Sequence, residues 1–107
     1  MTKINTSSLQ QLTALIESRK GGDASNSYVT SLLAKGTKKI AQKIGEEATE
    51  VAIAAVSETK EALVSESADL LFHLMILLAD QDLSLADVLG ELEKREGISG
   101  LTEKANR

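Results

Sequence analysis

Residues 37–79 read TKKIAQKIGEEATEVAIAAVSETKEALVSESADLLFHLMILLA. Apolar residues recur in two runs: Ile40, Ala41, Ile44, Ala48, Val51, Ala52 and Ala55 in the first, and Leu70 to Leu78 in the second. The first has helical spacing, and polar Ser57-Glu58-Thr59-Lys60 between the runs reads as a turn. Two helices on a connection this short are antiparallel neighbours. Thr37 stands where a cap for the first helix belongs, and that helix runs to about Val56. The second runs from about Lys60 to Ala79. Gly45 lies inside the first helix at about 1 kcal/mol relative to Ala, which a close approach at that point would justify. The Leu70–Leu78 run is apolar nearly all round, so burial on more than one side is expected. In a chain of 107 residues that points to a partner subunit.

Outward from this hairpin the pattern stays helical. Leu9, Leu12, Leu15 and Ile16 form one face of an N-terminal helix, with Ser7 or Ser8 as cap and Gly21-Gly22-Asp23 as its end. Ser25-Asn26-Ser27 reads as a linker or cap. A short helix follows from about Ser27, with Tyr28, Val29, Leu32 and Leu33, and stops at Lys35-Gly36. Ser84 is placed to cap a fifth helix through Leu85, Val88, Leu89 and Leu92 to Arg95, ended by Gly97. The tail, residues 98–107, is expected to be loose. Proline is absent, and the aromatics, 2% of the chain, are Tyr28 and Phe72. A core of Leu, Ile, Val and Ala favours helices over a sandwich or barrel. The expected fold is a single all-α domain, residues 1–107 with a core over about 8–95. It is a helical bundle around a long central antiparallel hairpin, completed by dimerisation.

Composition excludes several chemistries. Without cysteine there is no disulfide, thiolate nucleophile, zinc–cysteine site or iron–sulfur cluster. A net charge of −4 disfavours nucleic acid. The first residues carry no apolar signal-peptide core, and the apolar stretch from Ala68 to Ala79 is shorter than the roughly 20 residues of a membrane span. The expectation is a cytoplasmic protein with no membrane and no nucleic-acid partner.

The chemistry lies where carboxylates interrupt the central helices. Glu47 and Glu50 are three residues apart on the first, with Lys43 on the same stripe; Glu66 and Asp69 repeat the spacing on the second, and His73 continues it. Both pairs stand at comparable distances from the turn, so the four carboxylates can come level. Glutamates on helices usually form a solvated face, but Asp69 lies among Ala68, Leu70 and Leu71, and Asp is rarely buried unpaired. Facing carboxylates in a bundle hold hard divalent cations. Mg²⁺, which takes oxygen ligands and shares itself with substrate phosphates, fits the donor set, with Mn²⁺ as a substitute. His73 reads as a core or interface histidine. Lys35, Lys38, Lys39 and Lys43 form a basic cluster at the start of the acidic helix, and Lys43 shares the acidic stripe. No serine forms an evident nucleophile arrangement with the single histidine, which leaves water as the nucleophile. Asn26, Ser27 and Tyr28 are candidates for contacts to a sugar or base.

Glu46-Glu47-x-x-Glu50 followed by Glu66-x-x-Asp69 resembles the signature of the MazG-like all-α nucleotide pyrophosphatases. The longer segments Ser27–Gly36, Lys43–Glu50 and Ala68–Leu74 resemble the phosphoribosyl-ATP pyrophosphatase family, and the resemblance covers residues 8–95. It implies Mg²⁺-dependent hydrolysis of the α–β phosphate bond of phosphoribosyl-ATP to phosphoribosyl-AMP and pyrophosphate, the second step of histidine biosynthesis. It also implies a homodimer whose interface helps build the site, and a separate cyclohydrolase for the next step. Carried onto this sequence, Glu47, Glu50, Glu66 and Asp69 hold the metal, and of the basic cluster Lys43, on the acidic stripe, and Lys35, inside the resembling segment, are the residues expected to bind phosphates. Glu46, Glu47 and Glu50 are the catalytic carboxylates, with Glu46 binding a second cation or orienting water. Two alternatives stay open: a house-cleaning nucleoside triphosphate pyrophosphatase, and a non-enzymatic helical dimerisation module with a surface acidic ridge.

Overall fold

A computed structural model describes residues 6–23 and 27–96. Helix α1 spans Thr6–Ser18, α2 Tyr28–Lys35, α3 Thr37–Ser57, α4 Lys60–Asp80 and α5 Leu85–Glu96, and no strand occurs among the described residues. The all-α reading holds, with the helix pair α3–α4 as its spine. The expected tail lies outside the described residues, as does most of the Ser25-Asn26-Ser27 linker.

The connections follow from local chemistry. Ser27 caps α2, its hydroxyl accepting the Thr30 N–H at 3.3 Å. Gly36 alone separates α2 from α3, at φ 94° and ψ 170°, a conformation that favours a residue without Cβ. Thr37 is the first residue of α3 rather than its cap. Its hydroxyl instead donates to Asp80 Oδ2 at 2.5 Å, and Gln81 Nε2 donates to the same carboxylate at 2.9 Å. Gln81 Nε2 also donates to the Thr37 hydroxyl at 3.3 Å, so the Thr37 bonds tie the start of α3 to the end of α4, as antiparallel pairing requires. At the other end Thr59 caps α4, accepting from the Ala62 N–H at 3.1 Å. Asp87, in the first turn of α5, accepts the backbone N–H of Ser84 at 2.9 Å and its hydroxyl at 3.4 Å. Helix α1 begins before both Ser7 and Ser8, so neither caps it.

The core sits at the end of the hairpin nearest Gly36. Ile16 of α1, Val29 and Leu32 of α2, Ile40 of α3, Met75, Ile76 and Ala79 of α4, and Leu85 of α5 form one cluster. Leu9, Leu12, Leu33, Phe72, Leu77 and Val88 pack around it. By length and composition α4 could cross a membrane, but its C-terminal half is the strip on which the other helices converge.

The opposite end of the hairpin is covered less. On α3 the buried residues are Ile40, Glu47 and Ala54, whereas Ala48, Ala52, Ile53, Ala55 and Val56 are exposed. Within the protomer Leu71 is exposed and the other leucines of the Leu70–Leu78 run are half-buried, so the expected burial on all sides is not reached. Nothing comes within 4 Å of a Cβ built on Gly45, so the close approach expected there is not made inside the protomer.

Candidate active site

Between the core and the uncovered end, α3 and α4 bring their carboxylates together. Glu47, Glu66 and Asp69 each offer an oxygen, and these three oxygens lie within 4.8 Å of one another. The convergence follows from the antiparallel pairing: Glu47 lies ten residues before the end of α3, and Glu66 and Asp69 lie six and nine residues after the start of α4. Glu47 is buried and Glu66 half-buried, but Asp69 is exposed. The apolar neighbours of Asp69 in sequence therefore do not enclose it in the protomer, because they point to other faces of the helix.

Glu50 joins the set at its rim. It is exposed, and its carboxyl group is raised above the usual carboxylate range by side-chain contact with Glu66 and by the charge of that neighbour, partly offset by Glu47 and Lys43. Lys43, one turn earlier, stands 3.4 Å from Glu46 Oε1 and 3.6 Å from Glu47 Oε1. Its ammonium is held above the ordinary lysine range, chiefly by the bond to Glu46. Glu46 is not one of the three converging residues. Gln42 Nε2 donates to it at 2.9 Å, and this bond, followed by that from Lys43, holds its carboxyl below the usual range. Lys35 is exposed in the last turn of α2, and no hydrogen bond or ion pair among the described residues joins it to the carboxylates.

Two atoms mark what the site lacks internally. Glu47 Oε2 and Glu66 Oε2 are both buried and have no hydrogen-bond partner among the described residues. A buried carboxylate oxygen without a partner loses its hydration without compensation, and here two occur in one cluster of like charges. A hard divalent cation would supply the missing partner, and the donor set is all oxygen, as Mg²⁺ requires. Ligands on one Mg²⁺ lie at most about 4 Å apart, close to the spread of the three oxygens here. The residues fit the ion.

A second arrangement adjoins the first. His73, on α4 one turn after Asp69, is buried; its Nδ1 donates to the Asp69 carbonyl at 2.7 Å. A carbonyl only accepts, so in the neutral ring Nε2 is the acceptor for the Tyr28 hydroxyl, also at 2.7 Å. The bond to Asp69 follows from four-residue spacing, but the bond to Tyr28 joins residues 45 apart in sequence, and no local pattern announces it.

Fold and site together define an all-α protein with a cluster of converging carboxylates between two antiparallel helices, a donor set suited to a divalent cation, and a lysine at its edge. The family model described as Phosphoribosyl-ATP pyrophosphohydrolase matches residues 9–96. A protein of Jannaschia sp. (strain CCS1) named Phosphoribosyl-ATP pyrophosphatase is 56% identical over 99 residues, 92% of this chain and 97% of that one. Proteins of the same name from Rhizorhabdus wittichii and Burkholderia ambifaria are 55% and 52% identical, covering 95% and 100% of this chain and 96% and 92% of their own. The chain belongs to the phosphoribosyl-ATP pyrophosphohydrolase family.

Proposed function

We propose that this chain hydrolyses phosphoribosyl-ATP to phosphoribosyl-AMP and pyrophosphate, the histidine-biosynthetic reaction named for its relatives. Glu47, Glu50, Glu66 and Asp69 hold Mg²⁺, or Mn²⁺ in its place. The observation that carries the reading is the pair of buried, unpartnered oxygens, Glu47 Oε2 and Glu66 Oε2, in one carboxylate set. When bound, the cation neutralises phosphate charge and makes a water a better nucleophile.

The protein's own part is positioning and proton handling. Lys43 can swing from Glu46 and Glu47 to a phosphate oxygen, with Lys35 as a second cation for the triphosphate. Water adds to one phosphorus of the α–β anhydride, and the bridging oxygen leaves with the other phosphoryl group. Glu46, Glu47 and Glu50 are the catalytic carboxylates: Glu47 is fixed by burial, while Glu46 and Glu50 face solvent, where they can orient the water and take its proton. The uncovered apolar residues Ile53, Val56, Val64 and Leu71 support a homodimer. We place the enzyme in the cytoplasm, with its product passing to a separate cyclohydrolase.

The test is pyrophosphate release from phosphoribosyl-ATP with and without Mg²⁺, with ATP in parallel. Mg²⁺-dependent release from phosphoribosyl-ATP, with little from ATP, is the expected result. Equal release from both would move the assignment to a general nucleoside triphosphate pyrophosphatase. No release from either would remove the reading.

A further inference from the structure

The carboxylates and Lys43 can engage phosphates and a cation, but none of them offers a flat apolar face for a base. An adenine ring is bound most simply by stacking on an aromatic face. This chain has one tyrosine, one phenylalanine and no tryptophan. Phe72 is half-buried against the core, which leaves Tyr28 as the exposed aromatic, 51% accessible. It is nevertheless not a free side chain. Its hydroxyl is held by the buried His73, its ring meets the His73 ring edge-on at 5.7 Å and 81°, and His73 meets Phe72 in the same way at 5.8 Å and 80°. His73 is fixed in turn through Nδ1 to the Asp69 carbonyl, the backbone of a carboxylate of the site. Tyr28 also lies within electrostatic reach of the Lys43 ammonium. An aromatic ring locked at its polar end, open to solvent, joined through His73 to the backbone of Asp69 and within electrostatic reach of Lys43 is a preorganised contact surface.

We propose that Tyr28 is the residue on which the purine ring of the substrate stacks, and that His73 is the positioning residue that holds Tyr28 over the site through its two ring nitrogens. The proposal rests on the functional reading above and deepens it: the acidic cluster handles the triphosphate, and the Tyr28–His73 pair selects a nucleotide with a base.

Because Tyr28 is the single tyrosine and tryptophan is absent, intrinsic emission of the protein reports on this residue alone. With Mg²⁺ present, phosphoribosyl-AMP should quench that emission saturably, while inorganic pyrophosphate should not; free tyrosine amide corrects for nucleotide absorbance. In turnover, Tyr28→Ala should raise KM for phosphoribosyl-ATP about tenfold, with kcat little changed and the Mg²⁺-induced rise in Tm intact. Tyr28→Phe, which keeps the ring but frees it from His73, and His73→Leu should each raise KM about threefold. His73→Leu should add almost nothing in the Tyr28→Ala background, because a positioning residue has nothing left to position.

Unchanged emission at phosphoribosyl-AMP concentrations that inhibit turnover would overturn the proposal. So would an unchanged KM in Tyr28→Ala, or a fall in Tm and kcat with KM unaltered, the signature of a structural role or of a second copy covering Tyr28. If the wild-type chain released no pyrophosphate from phosphoribosyl-ATP, the functional reading would fall and this inference with it. Normal turnover with unquenched emission would remove this inference alone.

Discussion

Glu50 and Glu66 carry opposite tasks for folding and for ion binding. Side-chain contact with Glu66 raises the carboxyl group of Glu50, so the cation-free folded state holds that proton more tightly than the unfolded chain does. A carboxyl group raised by folding opposes stability once pH exceeds its unfolded value, and acid relieves that opposition. Glu66→Gln removes the neighbouring charge. Without divalent cation the variant should therefore melt above the wild type at neutral pH, and the gap should close as pH falls below the carboxylate range. With Mg²⁺ the order should reverse: the wild type gains stability by linkage and the variant loses that gain. Thermal melts across pH, with and without Mg²⁺, check both signs. A wild-type Tm unmoved by millimolar Mg²⁺ or Mn²⁺ would put the carboxylate site in doubt.

At the scale of the helices, two glycines serve different ends. Gly36 joins α2 to α3 in a single residue at φ 94°, which an L side chain adopts only under strain. Gly36→Ala should destabilise the fold by about 1–3 kcal/mol, measured by denaturant titration. The effect extends to Tyr28, because α2 carries it and Gly36 sets how α2 departs from α3. Gly45, by contrast, lies in ordinary helix with nothing within 4 Å of an added Cβ. Gly45→Ala should stabilise the protein by about 1 kcal/mol and leave the Mg²⁺ response intact. The two ends of the α3–α4 hairpin are legible from sequence to different degrees. The α3–α4 hairpin follows from periodicity and a polar turn, whereas the Thr37–Asp80–Gln81 bonds that close its far end do not, since the partners stand more than forty residues apart. Thr37 fits a cap by sequence because a threonine before an amphipathic run usually is one. Gly36 takes the cap position here, leaving the Thr37 hydroxyl for Asp80.

Across the whole molecule, burial is uneven. Helices α1, α2 and α5 gather around the C-terminal half of α4, so the turn end of the hairpin carries Ile53, Val56 and Val64 at 48%, 86% and 70% exposure. Burying one valine contributes about 1.5–3 kcal/mol, and a symmetric contact counts each residue twice. The double variant Val56→Asp, Val64→Asp should therefore shift sedimentation from dimer to monomer while keeping helical circular dichroism. If the site is completed at the interface, the same variant should also lose pyrophosphate release. A wild-type chain that sediments as a monomer at micromolar concentration would remove the dimer.

Helical class, helix order, the hairpin and the acidic residues were all determined by the sequence alone, because period, caps and turn residues are local properties written within a few positions. The family too was readable there, since the Glu46–Glu50 and Glu66–Asp69 patterns sit in contiguous text. Tertiary structure decided which carboxylates converge. It brings Glu47, Glu66 and Asp69 within 4.8 Å, pairs Glu46 with Gln42 and Lys43, leaves Lys35 apart, and exposes Asp69 despite its apolar neighbours. It also decided the bond from Tyr28 to His73, two residues whose meeting depends on how α2 lies across α4. Distances across helices depend on packing angle and rotamer, and a linear pattern carries the spacing along one helix but not the separation between two.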